Sequence, residues 1–210
     1  MDFWTRLGQL ARKHDVLRHS FYERWSAGEL SSSELAAYSG QYRHVVVALA
    51  DAAESAARQA EPSAHRQLVG HAAEEASHIA LWDEFVDAVG GDRAAPPTPE
   101  TADCARAWAG GGEERGLLPT LVAMYAIESA QPAISRTKRA GLVERYGIDG
   151  RGLAYFELHE RLDVEHAAAT RALIDERLPG ADGEPLLTEA ERVLAANWRL
   201  LDGVDRLVAA

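Results

Sequence analysis

A single cysteine, Cys104, stands among 210 residues, so no intramolecular disulfide can form and a reducing compartment fits the chain. It lies in Thr101-Ala102-Asp103-Cys104-Ala105-Arg106 with no histidine close in sequence, and reads as a structural thiol rather than a nucleophile. Basic blocks and arginine-rich amphipathic stretches are missing. With a formal net charge of −11, that argues against a nucleic-acid surface. The longest uncharged apolar run, residues 117–127, contains Pro119 and is too short to cross a bilayer. Met1-Asp2-Phe3-Trp4-Thr5-Arg6 is charged early and lacks the apolar run of a signal peptide, which predicts a cytoplasmic protein. Strand signals are nearly absent.

What remains is helix. Alanine, leucine, glutamate and arginine dominate, and 3.6-residue periodicity recurs throughout. Residues 3–27 read as one or two helices ending near Gly28. Ser31-Ser32-Ser33-Glu34 is a capping box opening a helix to about Gln59. Pro62-Ser63 starts the next, which runs to Val89 and stops at Gly90-Gly91. A proline-rich loop covers residues 94–99 and a short helix residues 100–109, broken by Gly110-Gly111-Gly112. Residues 114–130 are helical, with Pro132 at a turn or kink, and residues 133–147 form another helix closed by Gly147. Gly150 and Gly152 precede a long helix, and Thr188-Glu189-Ala190-Glu191 is a second capping box opening a last helix to about Leu207. No internal repeat or boundary divides the chain, which predicts one all-α domain over residues 1–210.

The helix after Gly152 carries an anomaly. At about 100° per residue, Tyr155, Leu158, Leu162, Ala169 and Leu173 form one apolar face. His159, Asp163 and His166 fall inside it, whereas Glu157, Glu160, Arg161 and Arg171 point elsewhere. Buried charge is costly unless paired or metal-bound. A hydrogen-bonded Asp–His pair would explain one such couple. Three residues at i, i+4, i+7 point rather to metal ligation. His159 and His166 are ~10 Å apart along the axis at ~1.5 Å per residue, so two ions with Asp163 between the histidines fit better than one.

Two other helices repeat the anomaly. On residues 63–89, His71, Glu74, Glu75 and His78 share a face with Leu68, Leu81, Trp82, Phe85, Val86 and Val89. On residues 114–130, Glu128 continues the stripe Leu117, Leu121, Met124, Tyr125. Packed in a bundle, these faces have the composition of a carboxylate-bridged dinuclear centre, and mixed imidazole and carboxylate donors suit iron or manganese better than zinc.

Four segments also resemble a family. They are His19-Ser20-Phe21-Tyr22-Glu23-Arg24-Trp25, Ser77-His78-Ile79-Ala80-Leu81-Trp82, Tyr125-Ala126-Ile127-Glu128-Ser129-Ala130-Gln131-Pro132, and Gly152-Leu153-Ala154-Tyr155-Phe156 through Asp163-Val164-Glu165-His166. Together they resemble the heme-oxygenase-like diiron oxidases, in particular the CADD-like, para-aminobenzoate-forming branch, of the superfamily that includes TenA and the PQQ-synthesis oxidase. The resemblance implies a seven-helix bundle and two iron ions (Fe2+, or a mixed Mn/Fe pair), with dioxygen as co-substrate and an external reductant. Carried over, the family ligands fall on His78, Glu128, His159, Asp163 and His166. The branch's glutamate seven residues before the first histidine falls on His71. Glu75, one turn before His78, is therefore expected as the sixth ligand, with Glu74 and His71 as weaker candidates and Asp51 or Glu54 weaker still. The resemblance also singles out Tyr22, matching a tyrosine consumed as the product ring, and Lys138, matching the implicated amino donor. Ile127 replaces a tyrosine of that branch.

The expected function is a non-heme diiron oxidase acting on a small amino-acid-like substrate or on its own Tyr22. C–C cleavage, N-oxygenation and decarboxylation all fit. No nucleic-acid or membrane partner is expected, and a homodimer is compatible with the sequence. Two other readings compete: a cofactorless oxidase resembling the PQQ-synthesis enzyme, and a non-catalytic helical partner-binding protein.

Overall fold

A computed structural model describes residues 1–110 and 115–209. The expected break at Gly111-Gly112 and helix start at residue 114 lie outside the described residues. Nine α-helical segments are present among them: α1 (Phe3–Lys13), α2 (Ser20–Ala27), α3 (Ser32–Arg58), α4 (Pro62–Ala88), α5 (Pro99–Ala109), α6 (Leu117–Glu128), α7 (Gln131–Arg145), α8 (Ala154–Arg177) and α9 (Gly183–Ala209). Short 3-10 turns, Val16–Arg18 and Gly150–Leu153, precede α2 and α8. No described helix is long and apolar enough to cross a membrane.

The helix ends follow local chemistry. Ser31 Oγ accepts the Glu34 N–H and Glu34 Oε2 accepts the Ser31 N–H, so α3 opens on the expected capping box. Pro62 and Pro99 stand in the first turns of α4 and α5, where a missing N–H costs nothing. Gly28 ends α2 at φ 77°, a left-handed geometry that favours glycine. The last helix departs from expectation: α9 begins at Gly183, before Thr188. Asp182 Oδ1 accepts the Glu184 N–H and Pro185 sits in the first turn. The Thr188 hydroxyl instead donates to the Glu184 carbonyl, and Glu191 pairs with Lys13 and His14 of α1.

α3 packs against α4 and α5, α8 against α6 and α7, and α9 against α1, α5 and α6. The core is rich in aromatics: Phe21, Trp25, Tyr38, Tyr42, Trp82, Phe85, Trp108 and Phe156 are all buried. Each such side chain contributes roughly 1.5–3 kcal/mol or more on burial. α2 lies close on α7, because Gly141 leaves room for Trp25, whose indole N–H donates to the Lys138 carbonyl at 3.1 Å.

Gly141→Ala is expected to lower stability even though glycine is a poor helix former. The added Cβ would stand 2.6 Å from Trp25 Cδ1, and the pinned indole cannot swing away. Overpacking of this kind costs about 1–3 kcal/mol against a helix-propensity gain of about 1 kcal/mol. Urea titration reads the difference; a more stable alanine variant would contradict the close α2–α7 contact.

Candidate metal centre

α4 and α8 carry the same pattern, His-x3-carboxylate-x2-His: His71, Glu75, His78 and His159, Asp163, His166. The spacing i, i+4, i+7 puts each trio on one helix face. The two faces meet so that His71 stacks near His166, with ring centroids 4.0 Å apart, and His78 meets His159 at 4.6 Å. Glu128 enters from the last turn of α6. All seven residues are buried.

Glu75 is the hub. Its Oε1 lies 3.2 Å from His78 Nδ1, 3.6 Å from His166 Nδ1 and 3.8 Å from His71 Nε2. His71 Nε2 is also 3.0 Å from Glu128 Oε1. Two groups of donors each converge within 4.8 Å: His71, Glu75, Glu128, His166, and Glu75, His78, His159. Glu75 belongs to both. Glu75 joins the two groups from its place between His71 and His78 on α4, as Asp163 stands between His159 and His166 on α8. Asp163 is alongside, Oδ1 3.8 Å from His166 Nδ1.

The unpartnered atoms identify what the cluster is suited to hold. His71 Nε2, Glu75 Oε1, His78 Nδ1, both Glu128 oxygens, His159 Nε2, both Asp163 oxygens and His166 Nδ1 are buried without a hydrogen bond. Buried polar groups are normally satisfied, and orphaned ones need an explanation. Two of the rings are held by their other nitrogen. His159 Nδ1–H donates to the Tyr155 carbonyl at 2.7 Å, and His166 Nε2–H donates to Glu74 Oε2 at 2.8 Å. That leaves a lone pair directed inward on each ring. Imidazole and carboxylate donors in these numbers fit ferrous iron or manganese.

Protonation of the metal-free cluster agrees. Burial pushes Asp163 up to about 9, helped by Glu128 and Glu75. Burial also raises Glu128 despite His71 beside it. Burial would raise Glu75 as well, but His78, His159 and His71 outweigh it and hold it below its ordinary range. Burial pushes His159 down to about 4, so its ring is neutral. Burial disfavours charged His71, yet Glu128, Glu75 and Glu74 together keep it above its ordinary value. The Asp163 carboxyl thus keeps a proton near neutral pH that a bound cation would displace.

The structure brings together Glu75, His78, Glu128, His159, Asp163 and His166, and adds His71 in full. Glu74 lies outside the cluster, half-exposed, as the hydrogen-bond partner of His166. Asp51 is exposed, and Glu54 pairs with Arg58 on the surface. His71, a weaker candidate from the sequence, stands within the cluster, and the matching spacing on α4 and α8 is visible in the sequence.

A second buried set adjoins the first. Tyr155 stacks on His159 at 3.9 Å and meets Trp82 edge-on at 4.8 Å; Trp82 packs on Tyr42 at 4.9 Å. Lys138 Nζ lies among aromatic rings, 4.3 Å from the centroid of Tyr42, 5.4 Å from Tyr22 and 5.5 Å from Tyr38. The Tyr22 and Tyr38 hydroxyls share a hydrogen bond of 2.8 Å, and Gln131 donates to the Tyr42 hydroxyl. Burial pushes Lys138 down to about 7 and Tyr22 well above the usual phenol range. Ile127 lines a separate, largely apolar cavity of about 250 Å³ near α1. Cys104 is buried and its thiol is pushed up by burial, as a structural role requires.

Residues 36–198 match the profile of a family described as iron-containing redox enzymes. A 4-aminobenzoate synthase of Chlamydia trachomatis serovar D is 31% identical over 96% of this chain and 91% of its own length. The protein of the same name from Nitrosomonas europaea is 28% identical, over 96% of this chain and 90% of its own. A TenA homologue from Pseudomonas syringae pv. tomato superposes with a TM-score of 0.83 at 15% identity, covering 97% of this chain and 93% of that one. A heme-oxygenase-like domain from Shewanella denitrificans gives 0.77 at 18% identity, covering 100% and 94%. The chain belongs to the iron-containing redox enzymes and is an oxidoreductase with the heme-oxygenase-like fold.

Proposed function

We propose that the protein is a dioxygen-dependent diiron oxygenase that forms 4-aminobenzoate from its own Tyr22 and Lys138. The observation that carries this reading is their placement: the Lys138 ammonium is 5.4 Å from the Tyr22 ring, both sealed in one aromatic box against the donor cluster. The naming of the relatives as 4-aminobenzoate synthases supports it. His71, Glu75, His78, Glu128, His159, Asp163 and His166 would hold the metal. Two ferrous ions bound there would supply dioxygen activation, with electrons from an external reductant.

The rest falls to the chain. Tyr38 fixes the Tyr22 phenol through their shared hydrogen bond. The aromatic walls exclude water from both reacting side chains. Lys138, with its proton affinity lowered by burial, presents a substantial neutral-amine fraction at neutral pH, which a nitrogen donor requires. Tyr22 remains a neutral phenol throughout that range.

Anaerobic loading with ferrous iron is expected to give close to two ions per chain. Glu75→Ala should lose at least one, whereas Glu74→Ala should keep both more nearly intact. Equilibrium dialysis with iron quantification reads this, and folded wild type at background iron would sink the proposal.

Lys138 also sets a pH signature in the metal-free protein. Its folded-state pKa is depressed, so the unfolded chain holds the proton more tightly. Below pH 7 the full cost of burying the charge is present; it falls as pH rises towards the ordinary lysine value and is gone above it. The drop from 10.5 to about 7 corresponds to a cost on the order of 5 kcal/mol at about 1.4 kcal/mol per unit. Lys138→Met is expected to stabilise the fold by up to that amount near pH 6 and to lose the advantage above pH 10. A pH-independent difference in denaturation midpoints would contradict the buried-charge account.

The reaction itself is read by peptide mass spectrometry after exposure to ferrous iron, reductant and oxygen. The expected result is a mass loss at Tyr22 with release of 4-aminobenzoate, both absent in Lys138→Ala and His159→Ala. An unaltered Tyr22 peptide under turnover would leave an external small substrate as the reading.

A further inference from the structure

The two halves of the donor cluster differ in their access to solvent. His78, His159, Glu75, Glu128 and Asp163 are 1–2% exposed, whereas His71 and His166 reach 7% and 8%. These two histidines line the wall of an open surface pocket of about 300 Å³ between α4 and α8. Its other polar residues are Arg66, Gln67, Glu74 and Glu165. Glu74 stands half-exposed there and holds the outer nitrogen of His166. The pocket is open at Gly70, where an added Cβ would meet nothing within 4 Å. The apolar cavity near α1 includes none of the seven donors.

We propose that this pocket is the port through which hydrated divalent transition-metal cations reach the buried donors, with Glu74 as the carboxylate that captures them. The proposal rests on the metal-binding reading above. A buried metal site needs an entry path, and dehydration of the ion is eased where a carboxylate replaces lost water before the imidazoles engage. Glu74 is suited to this because it touches both sides: one oxygen bonds His166, and the side chain remains half in water. Glu74 and Glu165 outweigh Arg66 at the rim, so the local field favours a cation. In this assignment His71 and His166 receive the ion first, and the half built on His78 and His159 fills behind them.

Uptake kinetics test the port without reference to turnover. Metal-free protein is mixed with Co2+ in a stopped-flow instrument and the visible absorption of bound cobalt is followed, with final stoichiometry taken by dialysis. Gly70→Leu plugs the pocket from an open position and should also strengthen α4. It is expected to slow uptake roughly tenfold or more while reaching the wild-type stoichiometry. Glu74→Gln keeps an oxygen to accept the His166 N–H and removes only the charge; uptake should slow by roughly tenfold, less so at high salt. Gly70→Ala should load like wild type. Equal uptake rates in wild type, Gly70→Leu and Glu74→Gln would overturn the port while leaving the metal site standing. Wild type that takes up no cobalt or iron would overturn both.

Discussion

A carboxylate with three imidazole nitrogens within 4 Å of one oxygen is the constraint on which this molecule turns. Glu75 is buried where an isolated charge would be prohibitive. Four histidines and two further carboxyls gather around it, and most of their inward-facing atoms make no hydrogen bond among the described residues. An arrangement of unsatisfied donors in a core costs stability unless a cation completes it. The rest of the fold supports this one spot. α4 and α8 supply matched trios, and α6 ends at Glu128, so its carboxylate closes the side that the two long helices leave open.

The aromatic box follows from the same geometry. Tyr155 lies one turn before His159, so the ring that stacks on the imidazole also forms a wall of the Lys138 pocket through Trp82. Trp82 lies one turn after His78 and is pinned by its N–H to the Ser39 carbonyl. The residues that define the donor cluster and those that enclose the amine are therefore neighbours on the same helices. α7 reaches the pocket only because Gly141 lets it approach α2, and the Lys138 carbonyl holds Trp25 at that contact. Moving α7 outward would carry the amine out of its box.

Much of this was legible in the sequence, and the reasons for the misses are physical. Polar residues on the apolar faces of three helices located the centre, because helical periodicity fixes direction. Glu74, expected on the same face as Glu75, stands at its edge: adjacent residues differ by 100°, enough to put one in the core and the other at the surface. His71 completes on α4 the same spacing that His159 completes on α8, a match visible in the sequence itself. That Glu75 Oε1 comes within 4 Å of three imidazoles was not legible, since it depends on how α4 and α8 are set against each other. The start of α9 at Gly183 rather than Thr188 has a different cause. Thr-x-x-Glu satisfies the capping-box pattern equally well inside a helix, where the hydroxyl bonds back to the carbonyl four residues earlier.

The pairing of α4 with α8 explains why the two halves of the centre are unequal despite matching spacings. On each helix the histidines are seven residues apart, ~10 Å along the axis. His71 meets His166 and His78 meets His159, so α4 and α8 run antiparallel at the cluster. At the His78–His159 end the aromatic side chains of Trp82 and Tyr155 continue both faces, and the surroundings are dry. At the His71–His166 end α4 offers Gly70 and Gln67 instead, while α8 offers Leu162 and Ala169 at the wall of an open pocket. Equal donor spacing thus sits in unequal solvent, because aromatic bulk flanks the His78–His159 pair and is withheld beside the other. A centre with one sealed half and one accessible half can keep its reactive side dry while its other side stays open to solution.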